Sequence, residues 1–108
     1  MRKILFILFL NTLLVSCDLT TPEEYTAEAR TLYQNKNYKK AIILLNKAIE
    51  KDEKYIDAYI DRAANKSAIN DYNGAINDLR KVLLIDSDNT LALFNIGKLY
   101  CNLKKYKL

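Results

Sequence analysis

The chain has 108 residues, 17 Lys and Arg against 13 Asp and Glu, a formal charge of +4, and is half hydrophobic. That length suits one domain, and two glycines with one proline are too few for the frequent turns of an all-β fold. The lack of histidine removes the commonest general base and zinc ligand together; two cysteines make neither a disulfide framework nor a Cys₄ site, and Gly74 and Gly97 stand too far apart for a phosphate-binding glycine loop. These exclusions leave a small helical protein that is expected not to be an enzyme and to hold no cofactor or metal.

The first element is a leader. Met1, Arg2 and Lys3 give a positive start, Ile4 to Leu10 an apolar run, and Asn11 to Ser16 a stretch ending in small residues. This is the layout of a secretory signal peptide. Its apolar part is about twelve residues, whereas a bilayer span takes roughly twenty. Leu14-Val15-Ser16-Cys17 resembles the lipobox of bacterial lipoproteins. The resemblance implies diacylglycerol on the Cys17 thiol, cleavage before it, and acylation of the new amine. Residues 1–16 are then a removed signal peptide, and 17–21 are the lipidated Cys with a short tether. The address is the bacterial cell envelope, on a membrane through the lipid. Asp18 resembles an inner-membrane retention signal of enteric lipoproteins; inner and outer membrane both stay open. Four residues of tether reach about 14 Å at roughly 3.5 Å each. Without Arg2 and Lys3 the balance is 15 basic to 13 acidic. Lys98, Lys104, Lys105 and Lys107 read as a solvated helix end, where cations suit the dipole, rather than as a nucleic-acid surface.

The remainder, 22–108, reads as five helices at about 22–35, 38–52, 55–70, 73–85 and 90–104. Thr21, Pro22 and Glu24 make an N-cap, first-turn proline and capping box. Asn35-Lys36-Asn37, Asn70-Asp71 and Ser87-Asp88-Asn89 read as turns. Ile42, Leu45, Ala48 and Ile49 share one helical face, and Ile76, Leu79, Val82 and Leu83 repeat it. The repeat has a period of 34. Without gaps it pairs Tyr25/Tyr59, Ala29/Ala63, Tyr38/Tyr72, Ala41/Ala75, Ile42/Ile76, Leu45/Leu79, Lys47/Lys81 and Asp52/Asp86. Small residues at fixed offsets let helices approach closely, and the aromatic and aliphatic residues fill the space around them.

This pattern resembles the tetratricopeptide repeat family. The first unit offers Tyr25, Glu28, Ala29 and Leu32, then Ala41 and Leu45. The second offers Tyr59, Arg62, Ala63 and Lys66, then Ala75 and Leu79, and the third Leu93, Ile96, Gly97 and Tyr100. Glu28, Arg62 and Lys66 stand where the family has apolar residues, and Glu53 and Ser87 where it has proline. The resemblance implies an all-α, right-handed helix-turn-helix solenoid of about two and a half repeats, divided 22–55, 56–89 and a partial 90–108. It also implies a non-catalytic adaptor or scaffold that takes a peptide or partner helix in a concave groove.

The last helix carries apolar side chains all round, which predicts burial on more than one face. Leu93, Ile96 and Tyr100 stand where a further helix would dock. They are candidates for self-association. A homodimer, a shortened copy of a longer repeat protein, and a helix folded back over the groove are the open accounts.

Carried over from the family, the groove positions include Thr26, Arg30, Tyr33, Asp57, Ile60, Ala64, Ser67, Phe94, Lys98, Cys101 and Asn102. Tyr33, Ile60 and Phe94 are the candidate apolar anchors, and Arg30 and Lys98 the charge handles. Packing alone would also make such a face apolar. The carboxylate clamp of chaperone-binding repeats is absent, since its positions hold Thr26, Arg30, Asp61, Leu91 and Asn95. Cys101 reads as a small buried apolar residue. Asp57 and Asp61, one turn apart with no third ligand, read as solvated helix charges.

Overall fold

The computed structural model describes residues 17–107, with side chains through 105. The expected leader, 1–16, lies outside them. Five helices follow in order: α1 Pro22–Gln34, α2 Tyr38–Lys51, α3 Ile56–Ala68, α4 Tyr72–Ile85 and α5 Thr90–Lys107. Among the described residues there is no strand, and no helix is long and apolar enough to cross a membrane.

Local chemistry sets the helix ends. Thr21 Oγ accepts from the Glu24 amide at 3.1 Å while Glu24 Oε2 accepts from the Thr21 amide at 2.9 Å, so the capping box forms as read. Lys36 and Asn70, one repeat apart, take φ of 62° and 66°. Each stands just past a helix end, where the following amide bonds back, Asn37 to Leu32 and Asp71 to Lys66, both at 2.8 Å. These are paired Schellman turns, made without glycine. Between units, Asp52 Oδ1 accepts from the Lys54 amide at 3.0 Å, and Asp86 Oδ1 from the Asp88 amide at 3.3 Å. The repeated aspartate is therefore a turn residue.

Each helix packs on the next in sequence, and α1 also touches α3. Two cores result. In the first, Tyr25 and Ala29 of α1 meet Ala41, Leu45 and Ala48 of α2, and Ala58 of α3 closes the end. In the second, Tyr59 and Ala63 meet Ala75, Ile76, Leu79 and Val82, closed by Ala92 and Leu99 of α5. Ile49 of α2 packs against both. The alanines that recur at 34 are almost wholly buried where helices cross, as close approach requires.

Two polar arrangements depart from the sequence reading. Arg62 and Lys66, charges at positions read as normally apolar, converge on Asp78. Arg62 Nη2 lies 2.6 Å and Lys66 Nζ 3.1 Å from its carboxylate, whose side chain is only 5% exposed. Arg62 also donates to Asn46 Oδ1 at 2.9 Å and stacks on Tyr59, 5.6 Å from the ring centre. The second correction concerns the tether. Asp18 accepts from the Tyr25 hydroxyl and from the Thr20 amide, and pairs with Lys51 at 3.6 Å. The Tyr25 bond, then the Thr20 amide, hold its carboxyl well below the usual range. Residues 18–21 are fastened to the first unit rather than hanging free, with Cys17 exposed beside them.

Candidate functional site

The first helices of the units, α1, α3 and α5, line one face. Two cavities open on it. One of about 230 Å³ lies between α3 and α5, walled by Ile60, Ala63, Ala64 and Ser67 on one side and Asn95, Lys98 and Leu99 on the other. A second of about 120 Å³ lies between α1 and α3, lined by Arg30, Tyr33, Asp61, Ala64 and Asn65. Tyr33 and Ala64 border both. Small-molecule sites are usually roughly 300 Å³ or more, so each hollow suits a single side chain.

Helical spacing brings these groups together. Ile60, Ala64 and Ser67 succeed one another along one face of α3 at steps of four and three. Tyr33 comes from the end of α1, where its ring meets Tyr38 edge-on at 5.5 Å. Arg30 reaches across to α3, with Nε 2.7 Å from Asp61 Oδ2 and Nη2 3.4 Å from Asp57 Oδ2. Burial pushes the Asp61 carboxyl above its ordinary value, and the Arg30 hydrogen bond opposes that shift. The reading as a solvated charge is thus corrected for Asp61, whose side chain is 21% exposed, while Asp57 stays exposed at 55%. They hold Arg30, which is not a free charge handle.

Of the five groove candidates, Arg30, Tyr33, Ile60 and Lys98 border the cavities. Phe94 does not. It is 65% exposed beyond the rim, with Lys98 Nζ 5.7 Å from its ring centre. Among the described residues no carboxylate pairs with Lys98. Thr26 is also displaced from the groove, buried with its hydroxyl on the Pro22 carbonyl at 2.7 Å. Cys101, read as buried, is exposed, because the covered side of α5 is set by Ala92, Ile96, Leu99 and Leu103.

The self-association candidates separate. Ile96 is partly buried against the second core. Leu93 is 52% and Tyr100 47% exposed, and the Tyr100 hydroxyl accepts from Arg80. A β-carbon at Gly97 would meet nothing within 4 Å. Burial of α5 on more than one face, expected from its composition, is not seen. Its covered face is a single one.

One residue escaped the sequence reading. Asn65 is 2% exposed; its amide donates to the Asp61 carbonyl at 2.9 Å, and its Oδ1 is buried without a donor. An asparagine at an inward helical position, beside Ala63 and Ala64, was the available signal. Among the described residues, no cluster of three His, Cys, Asp or Glu could hold a metal ion.

No family model and no curated protein matches the chain. Solved structures do. The first TPR of Spaghetti (RPAP3), bound to the HSP90 peptide SRMEEVD, is 25% identical with a TM-score of 0.73 over 77% of this chain and 66% of that one. The first TPR domain of human RPAP3 is 24% identical with a TM-score of 0.75, over 80% and 68%. The chain therefore spans about two thirds of the length of the domains it resembles. In architecture it is an all-α helical repeat with the fold of tetratricopeptide repeat domains.

Proposed function

We propose that the chain is a non-catalytic, lipid-anchored protein-interaction module of the bacterial cell envelope, whose groove holds a peptide segment or helix of an envelope protein. The observation that carries the interaction role is the pair of side-chain-sized cavities on the face of α1, α3 and α5. The peptide held by the Spaghetti domain supports it by analogy of fold. The chemistry differs, because the clamp positions here hold Thr26, Arg30, Asp61, Leu91 and Asn95, and Arg30 is already bound by Asp61. The anchor rests on Leu14-Val15-Ser16-Cys17 and on exposed Cys17 beside the first unit. Two or three acyl chains hold a protein on a membrane durably, at about 0.8 kcal/mol per buried CH₂.

The test places a photo-crosslinking residue at Ser67 in the anchored protein. A partner captured there, and lost in Ala64→Arg, is the expected result. Ala64 is exposed and borders both cavities, so arginine fills them without entering the core. Capture unaffected by Ala64→Arg refutes the groove as the site. Cys17→Ser should abolish palmitate labelling and release the protein from the membrane fraction.

Self-association is the second reading, carried by Leu93. It occupies the repeat position at which Tyr25 and Tyr59 are buried, yet is half exposed. Light scattering should then give a dimer mass that Leu93→Lys halves; a monomer at every concentration ends this reading.

A further inference from the structure

In each of the first two units the second helix covers a row of the first. Tyr25 and Ala29 of α1 share a core with Ala41, Leu45 and Ala48 of α2, and Tyr59 and Ala63 of α3 share one with Ala75, Leu79 and Val82 of α4. The same row of α5 holds Leu93 and Gly97, continued by Tyr100, at helical steps of four and three. All three are exposed, and so is Phe94 beside them. The row keeps the apolar character of a covered one, and a contiguous apolar surface marks an interaction site where single exposed leucines do not. Gly97 stands where Ala29 and Ala63 are buried between helices, with open space over it.

The charges at the two ends of α5 decide what fits the row. Asp86 and Asp88 precede the helix, and Lys104 and Lys105 lie near its far end. All four are exposed, and among the described residues none belongs to an ion pair. A second α5 laid antiparallel on the first, Gly97 on Gly97, sets residues 104 and 105 of each chain against 90 and 89 of the other. Both lysine ends then lie beside the aspartates of the opposite copy. A parallel pairing sets lysine against lysine and aspartate against aspartate, and like charges across an interface are costly. We infer that a second copy of the chain covers this row, the two α5 helices crossing antiparallel at Gly97, so that each stands as the second helix of the other's third unit. This rests on the self-association reading and names its surface and register. The contact is two-fold and therefore closes at a dimer. Asn95, Lys98 and Asn102, which wall the larger cavity, lie on another side of α5 by helical spacing, so each copy keeps its groove open.

The experiment uses the full chain in a density-matched mild detergent, with mass read by sedimentation and helix content by circular dichroism. One variant carries Lys104→Glu and Lys105→Glu, the other Asp88→Lys. Each alone puts like charges together at both ends of the pair and should dimerise about tenfold more weakly than the parent. An equal mixture restores opposite charges at both ends, and its dimer should return to the parent's strength as a heterodimer. A parent dimer whose two variants associate as tightly as it does, or whose mixture shows no recovery, overturns the antiparallel α5 pairing. If Leu93→Lys still halves the mass in that case, self-association through this face stands and only its register falls. A parent that stays monomeric at every concentration overturns both.

Discussion

Asp78→Asn should destabilise the protein far more than a one-atom change suggests. The carboxylate pairs with both Arg62 and Lys66, whose side chains are 18% and 21% exposed. Removing one partner of a buried ion pair costs about 3–5 kcal/mol, because the other charge is left without compensation. Partial exposure of the two cations places the loss near about 3 kcal/mol. Each kcal/mol moves the midpoint of a domain this size by roughly 4–8 °C, so Tm should fall on the order of 15 °C. The first unit supplies the control. At offset 34 it has Glu28, Leu32 and Leu44 in place of Arg62, Lys66 and Asp78, and both leucines pack against its core. The triple variant Arg62→Glu, Lys66→Leu, Asp78→Leu copies that solution and should lie within about 1 kcal/mol of the parent, since apolar replacement of a buried ion pair is often neutral. Thermal melts followed at 222 nm read both. A shift below about 4 °C for Asp78→Asn would falsify the buried-charge argument. Equal losses in the single and triple variants would trace the effect to packing instead.

Further outcomes follow from the same structure. Gly97→Ala should raise stability by about 0.5–1 kcal/mol, since alanine is the better helix former and its methyl meets nothing within 4 Å. A lower Tm would show that a helix covering this face leaves no room for the methyl. The docked N-terminal segment should loosen in acid. The folded Asp18 carboxyl sits below its unfolded value because Tyr25 and the Thr20 amide bond to it, so its contribution is complete above about pH 4 and fades as pH falls towards the depressed value. Tyr25→Phe should remove most of that dependence, read as hydrogen exchange at the Thr20 amide, which donates to Asp18 Oδ1 at 2.9 Å; identical acid profiles for parent and variant would contradict the docking.

Much of the architecture was legible in the sequence because it is local. A period of 34, alanines at fixed offsets and turn residues between them specify helix pairs whose contacts run mainly to the next helix, so the helix order and most boundaries were read to within two residues. The capping box was equally plain, since its partners are three residues apart. The family resemblance, rather than periodicity, singled out Tyr33, Ile60 and Lys98, which border the cavity between α3 and α5. Whatever depends on pairing between helices was not legible. Arg62 and Lys66 looked like misplaced charges until Asp78, on the following helix, was seen to receive both. Arg30 looked like a free cation until α3 brought Asp57 and Asp61 across to it. Cys101 was misjudged because the rotation of α5 on its neighbour, set by Ala92 and Leu99, decides which of its many apolar residues face inward. Sequence periodicity determines which residues share a helix face. Only the packing of one helix on another determines what that face meets, and therefore which charges are satisfied and which surface is left open.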